Sequence, residues 1–273
     1  MITFTSTQLH ALVAGFLWPL TRILGLIVTA PLFGNGSVPA AVKIGFGVLL
    51  AMIVAPALPN LPAMDPMSLA GLLILAQQFV IGLAMGFAMR IVFAGVEMAG
   101  EITGLTMGLG FATFFDPQSR GRSSAISQFL ALLMLMVYLA ANVHLVVLST
   151  LVESFSTLPI SAAPLDGHLF GQLANWGGRI FSIGVQLSLP LVAALLITNI
   201  ALGILTRAAP QLNLFGIGFP ITIGVGFIMI ALALPYLATP MGRVLEQGIE
   251  MIRQITAHAL PVSASLVPLP GPR

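Results

Sequence analysis

Apolar residues run along this chain in long stretches, and polar residues gather between them. Six apolar stretches stand out: Leu9–Leu32, Ala40–Leu58, Met67–Ala94, Ala125–Val152, Ile180–Leu205 and Leu212–Ala238. Each is near or above the ~20 residues that carry an α-helix across hydrocarbon. Helices are expected because a backbone in lipid must satisfy its polar groups internally. A β-barrel would show alternation in segments of ~10 residues, and Ile126–Val152 shows none. The pattern predicts an all-α protein of about six broken hydrophobic helices.

The breaks carry turn chemistry. Pro31, Gly34, Asn35, Gly36 and Pro39 separate the first stretch from the second, and Pro56, Pro59, Pro62 and Pro66 the second from the third. Gly95–Ser124 is a different kind of interval, with Glu97, Glu101, Asp116, Arg120, Arg122 and glycines at 100, 104, 108 and 110. It is too polar to face lipid and too apolar for a simple aqueous loop. A second polar interval, Glu153–Arg179, separates the fourth and fifth stretches. After Gly242, the residues Arg243, Glu246, Glu250 and Arg253 read as a short exposed helix. A single domain is expected over 1–260, followed by a disordered Pro-rich tail over 261–273.

Composition agrees with a membrane location. The chain is 58% hydrophobic and 7% charged, with a mean hydropathy of +1.06. A soluble domain is about 25% charged. The net charge of +2 comes with no basic cluster, so nucleic acid is not expected as a partner. Cysteine is absent, which removes disulfides and thiolate metal sites. No Lys or Arg precedes the first stretch, so that stretch is expected to be retained rather than cleaved. Lys43, Arg120, Arg122 and Arg207 fall on one side of a six-span arrangement, and Arg179, Arg243 and Arg253 on the other. The positive-inside rule therefore gives no orientation.

Some polar residues lie within apolar surroundings. Arg22 is in mid-stretch, Arg90 ends the third stretch, and Glu97 and Glu101 share a helix face with it. An ionisable group in a membrane invites a functional reading. Arg90, Glu97 and Glu101 can be a buried structural charge cluster, a proton relay as in a secondary transporter, or charges simply exposed at an interface. His144, beside Asn142, reads as a hydrogen-bonding residue in the fourth stretch rather than a metal ligand. Gly82-x-x-x-Gly86, Gly100-x-x-x-Gly104 and Gly104-x-x-x-Gly108 let helices approach closely, within the chain or between subunits. There is no H-E-x-x-H, G-x-S-x-G or P-loop pattern, and Gly108-Leu109-Gly110 lacks the rest of a dinucleotide fingerprint. Neither an enzyme nor a cofactor is expected.

Three segments are specific. One runs Pro19-Leu20-Thr21-Arg22-Ile23-Leu24-Gly25, then Ala30-Pro31-Leu32-Phe33-Gly34 and Val38-Pro39. Another is Ala99-Gly100-Glu101, then Met107-Gly108-Leu109-Gly110-Phe111-Ala112-Thr113-Phe114-Phe115-Asp116-Pro117. The last is Arg207-Ala208-Ala209-Pro210-Gln211-Leu212-Asn213, then Gly218-Phe219-Pro220. Together they resemble the FliR family of flagellar type III export-gate membrane proteins, which has SctT-type relatives in virulence secretion. The resemblance covers all but the Pro-rich tail.

It implies a FliP-like part followed by a FliQ-like helical hairpin, located in the bacterial inner membrane at the flagellar basal body. It implies assembly with FliP-like and FliQ-like subunits, and FlhB-like and FlhA-like components at the cytoplasmic side. Unfolded flagellar proteins would pass through the central channel. Much of such a gate is held above the membrane plane, which would account for the undecided charge count. Met107, Gly108, Gly110, Phe111, Phe114, Phe115 and Asp116 match the family's plug region, the alternative being a loop packed in the core. Arg207, Pro210, Gln211 and Asn213 match a turn at the cytoplasmic entrance, the alternative being a capped turn with no partner. The rival function is a proton-coupled transporter built on Arg90, Glu97 and Glu101.

Overall fold

The computed structural model describes residues 6–58, 62, 64–111, 124–161, 164–165, 167–209 and 217–258. They form eight α-helices: α1 Ser6–Thr29, α2 Ala40–Val54, α3 Leu69–Thr106, α4 Ala125–Ala140, α5 Val143–Thr157, α6 His168–Gly177, α7 Arg179–Ala208 and α8 Phe219–His258. Short 3-10 turns follow α2 at Ala55–Ala57 and α3 at Leu109–Phe111. No strand occurs among the described residues. The all-α expectation holds, and four helices are long and apolar enough to cross a membrane.

The helices differ from the apolar pattern in four places, one of them α6, which lies inside the polar interval Glu153–Arg179. The third stretch does not end at Ala94, because α3 continues through the polar interval to Thr106. The fourth stretch is two helices bent by 65°. The bend falls at Asn142, whose φ of 54° is left-handed, a region that Asn enters more readily than most residues. The sixth stretch from Phe219 onward and the separate helix expected after Gly242 are one helix of 40 residues, α8, with Pro235 and Pro240 inside it.

The chain divides into two compact units, each drawn from several segments: residues 1–90, 144–176 and 247–273, and residues 91–143 and 177–246. α3 gives its first half to one and its second half to the other.

In the first unit, α1 and α3 meet with main chain against main chain. A Cβ on Gly25 would come 2.5 Å from the Phe79 carbonyl oxygen and 2.9 Å from the Leu83 nitrogen. A Cβ on Gly82 would strike the Arg22 carbonyl, and one on Gly86 the Thr29 hydroxyl. Thr29 Oγ1 donates across the seam to the Leu83 carbonyl at 3.2 Å. Gly82-x-x-x-Gly86 thus packs within the chain. Below this seam Trp18, Val54, Ile74, Phe155 and Ile160 form an apolar core.

Arg22 is fully buried in this unit. Its Nε donates to Gln78 Oε1 at 2.8 Å. Nη1 donates to the carbonyl and the hydroxyl of Ser154, at 2.9 and 3.0 Å. Nη2 donates to the Leu158 carbonyl at 2.9 Å. The guanidinium also lies 4.3 Å above the Phe155 ring centroid. Ser154 and Leu158 are at the C-terminal end of α5, where helix carbonyls lack intrahelical partners. The residue that looked like a charge stranded in lipid is a buried clamp joining α1, α3 and the end of α5.

In the second unit, the end of α3 packs on α4 and α7. A Cβ on Gly95 would come 2.7 Å from Ile183 Cβ, and one on Gly184 2.5 Å from Met98 Cγ. α4 turns Ile126, Leu130, Met134 and Tyr138 inward at a spacing of four residues, and Tyr138 meets Phe93 edge-on at 5.6 Å.

Arg22→Ala is expected to leave the acceptors on Gln78, Ser154 and Leu158 without a donor, at about 1–3 kcal/mol for each buried group left unmade. The thermal midpoint of the purified protein should fall steeply. Arg22→Lys should lie between, since one ammonium does not reproduce the planar fork. Unchanged midpoints in both variants would remove Arg22 from this role.

Candidate functional site

The second half of α3 carries one face of small and acidic residues: Glu97, Gly100, Glu101 and Gly104, spaced to align on a helix. α4 begins against that face. A Cβ on Gly100 would overlap the Ser127 backbone, and one on Gly104 would sit 3.1 Å from Ser124 Oγ. Only glycine permits so close an approach. Ser127 Oγ donates to the Glu97 carbonyl at 2.8 Å. Ser124 caps α4, its hydroxyl accepting from Ser127 N–H at 3.1 Å. Ser124 N–H donates to Glu101 Oε1 at 2.7 Å. The carboxylate therefore sits where a helix N-terminus favours negative charge.

α3 ends one turn later. Thr106 Oγ1 turns back onto the Ile102 carbonyl at 2.7 Å. Met107 is fully buried, and its carbonyl accepts from Thr222 Oγ1 at 3.2 Å. Its side chain lies over Gly226, where a Cβ would come 2.5 Å from Met107 Cε. Gly108 has a φ of +86°, and a Cβ there would be 2.7 Å from Phe219 Cδ1. Phe219, Thr222 and Gly226 form one face at the start of α8, so the chain leaving α3 is pinned to that face. The segment between Gly108 and Ser124 thus has two fixed feet, one on α8 and one on the Glu101 carboxylate.

Of the residues matched to the plug, Met107 and Gly108 belong to the first foot. Gly110 lies in the following 3-10 turn, which ends at Phe111. Phe114, Phe115 and Asp116 lie outside the described residues. Gly108 is outside α3, so Gly104-x-x-x-Gly108 is not a helix face. The expected buried cluster of Arg90, Glu97 and Glu101 is corrected at Arg90, whose side chain is exposed; Glu97 and Glu101 are half-buried. Arg207 is exposed in the last turn of α7, a favourable end for a cation. Pro210, Gln211 and Asn213 lie outside the described residues, as does the tail 261–273. Among the described residues no three His, Cys, Asp or Glu side chains are grouped to hold a metal. The capping role of Ser124 was readable, a serine immediately before an apolar run. The docking of Thr222 on Met107 has no local signal, because 115 residues separate them.

The sequence model described as bacterial export proteins, family 1, matches residues 13–248. The flagellar biosynthetic protein FliR of Pectobacterium carotovorum subsp. carotovorum is 46% identical over 235 residues, covering 86% of this chain and 90% of that protein. FliR of Escherichia coli K12 is 43% identical over 240 residues, covering 87% and 91%. FliR of Bacillus subtilis 168 is 33% identical over 245 residues, covering 89% and 94%.

The anchor on Glu101 separates two roles of that carboxylate. Glu101→Gln keeps a carbonyl acceptor for Ser124 N–H but cannot carry a proton as a carboxylate does. Glu101→Gln should leave swimming in soft agar near wild type, whereas Glu101→Leu should reduce it severely. Loss of swimming in Glu101→Gln at normal protein level would instead point to proton chemistry.

Proposed function

The chain belongs to the FliR family of bacterial export proteins and is a subunit of the flagellar type III export gate in the bacterial cell membrane; we propose that its segment between Gly108 and Ser124 seals that gate's channel. The observation that carries this reading is the pair of fixed feet described above. A seal must yield to a passing chain without losing its place. Attachment at both ends to packed helices supplies the fixed place. Its sequence supplies Phe111, Phe114 and Phe115 beside glycine. Rings crowding a narrow pore leave water too few hydrogen-bonding partners, so the constriction stays dry.

The gate reading includes FliP-like and FliQ-like subunits as neighbours, FlhB-like and FlhA-like components at the cytoplasmic side, and unfolded flagellar proteins as cargo. Exposed surface supports the presence of neighbours. On α2, Leu49, Met52 and Ile53 are 60–73% exposed. The helical glycines Gly45, Gly203 and Gly224 have open space where a Cβ would project, which suits close approach by another helix. The proton-coupled transporter is not favoured. Arg90 is exposed and a Glu101 oxygen is committed to a backbone N–H, so the three residues do not read as a relay.

In the complete gate, replacing Phe111, Phe114 and Phe115 by Ser, or deleting Gly110–Phe115, should raise ion conductance and salt sensitivity while assembly persists. An altered gate that assembles and stays tight would place the seal elsewhere. For the proposed cytoplasmic-entrance turn of Arg207, Pro210, Gln211 and Asn213, Arg207→Ala and Asn213→Ala should lower flagellin secretion with the purified particle unchanged. Losing a helix cap alone costs only about 0.5–2 kcal/mol, which a large complex should absorb. Normal secretion in both variants would reduce the turn to capping.

A further inference from the structure

The turn between α1 and α2 carries a residue pair with no part in the proposed seal. Asn35, Gly36 and Ser37 are all exposed there. Irregular backbone does not face hydrocarbon, so this exposed turn meets water. Ser37 N–H donates to Asn35 Oδ1 at 2.9 Å, and Val38 N–H to the Asn35 carbonyl at 3.2 Å. Gly36 N–H has no hydrogen-bond partner among the described residues. A Cβ on Gly36 would meet nothing within 4 Å, and its φ is not left-handed. Neither space nor backbone conformation therefore requires glycine at this position.

These features match one reaction. A bond from the Gly36 nitrogen to Asn35 Cγ would close a five-membered ring, so attack is intramolecular and needs no encounter. The nitrogen must first give its proton to hydroxide, a step open to an exposed amide that bonds to nothing else. Negative charge then develops on Asn35 Oδ1, the oxygen to which Ser37 N–H already donates. A donor in place on a developing oxyanion lowers the barrier to attack. A side chain at position 36 would crowd the attacking nitrogen, and glycine leaves it bare.

We propose that Asn35 is a site of deamidation through a succinimide closed by Gly36, and that the α1–α2 turn promotes it. The bond from Gly36 N to Cγ forms, the Cγ–Nδ2 bond breaks, and ammonia leaves. Water then opens the imide. Opening at Cγ leaves aspartate. Opening at the former main-chain carbonyl leaves isoaspartate, with Gly36 joined through Cγ. Water enters and ammonia departs, with no change of oxidation state. Either product lowers the formal net charge of +2 by one. It sets a carboxylate beside the Gly34 carbonyl, to which Lys43 Nζ donates at 3.2 Å. Isoaspartate also lengthens the main chain of the turn by one carbon. The entry to α2 is thereby altered in a chain whose gene is unchanged.

The test is peptide mass spectrometry of the detergent-purified complex containing the full chain, sampled during incubation in neutral buffer. The peptide holding Asn35 should gain the mass difference between an amide NH2 and a hydroxyl, with isoaspartate and aspartate both present. Asn175 and Asn199, inside α6 and α7 and followed by Trp176 and Ile200, should stay unchanged. Gly36→Ala should fold normally, since its Cβ meets open space, and should lose most of the conversion. The same chain unfolded in denaturant should convert more slowly, by about two- to tenfold. That is the gain when the Ser37 donor passes from a neutral to a charge-assisted bond. No conversion of Asn35 overturns the proposal. So does equal conversion in Gly36→Ala, or aspartate as the only product, which would mean direct hydrolysis. Conversion as fast or faster in the unfolded chain would show that the turn does not promote the reaction, and overturns it too.

Discussion

A guanidinium removed from water must have its charge and its N–H groups answered, or the fold around it fails. Arg22 meets that demand with neutral groups alone: a glutamine oxygen, a serine hydroxyl, two backbone carbonyls and the face of Phe155. The carbonyls are the decisive partners. A helix ends with about half a negative charge spread over its unpaired C=O groups, and these ones are buried too. The cation and the end of α5 each solve a problem that the other creates. Because the partners come from α3 and α5, satisfying one side chain fixes the placement of three helices. Trp18 and Phe155, which share the adjacent core, are set by the same arrangement.

The second half of α3 follows a related logic with an acid. Glu97 and Glu101 interrupt an apolar helix, yet the helix does not stop. Their face is where α4 begins, and the start of a helix supplies N–H groups in want of acceptors. A polar interval in the sequence thus becomes a junction between two helices. The glycines at 100 and 104 bring the backbones near enough for a short carboxylate to reach.

Much of this was legible in the amino-acid order. Length and apolarity announced helices, the prolines near 31–39 and 56–66 marked real breaks, and the three specific segments pointed to the family. What escaped were features decided by distant partners. The polarity of Gly95–Thr106 suggested a break because its acids had no visible counterpart; the counterpart is Ser124, across an intervening segment. Asn142 looked like an isolated polar residue in a span, and only its left-handed backbone reveals a corner. Arg22 read as an isolated charge because its acceptors lie 56 to 136 residues away. Arg90 was grouped with Glu97 and Glu101 by helical phase alone, and phase says nothing of whether a neighbour covers a residue. At the junction of α3 and α4, Gly100, Gly104 and Ser124 carry local signals, while the contact of Thr222 with Met107 carries none.

The seam at Gly25, Gly82 and Gly86 has a mechanical consequence. Side-chain layers are the compliant material of a protein, since rotamers can change and let helices slide. Between α1 and α3 there is almost no such layer, only peptide planes in contact. Sliding there would drive carbonyl oxygens into one another, so the pair resists shear as one stiff strut. The contacts of Gly95 with Ile183 and of Gly184 with Met98 set glycine against the Cβ and Cγ atoms of a side chain rather than against a peptide plane. A load on either helix of the seam is therefore passed along α1 and α3 together, with neither moving against the other.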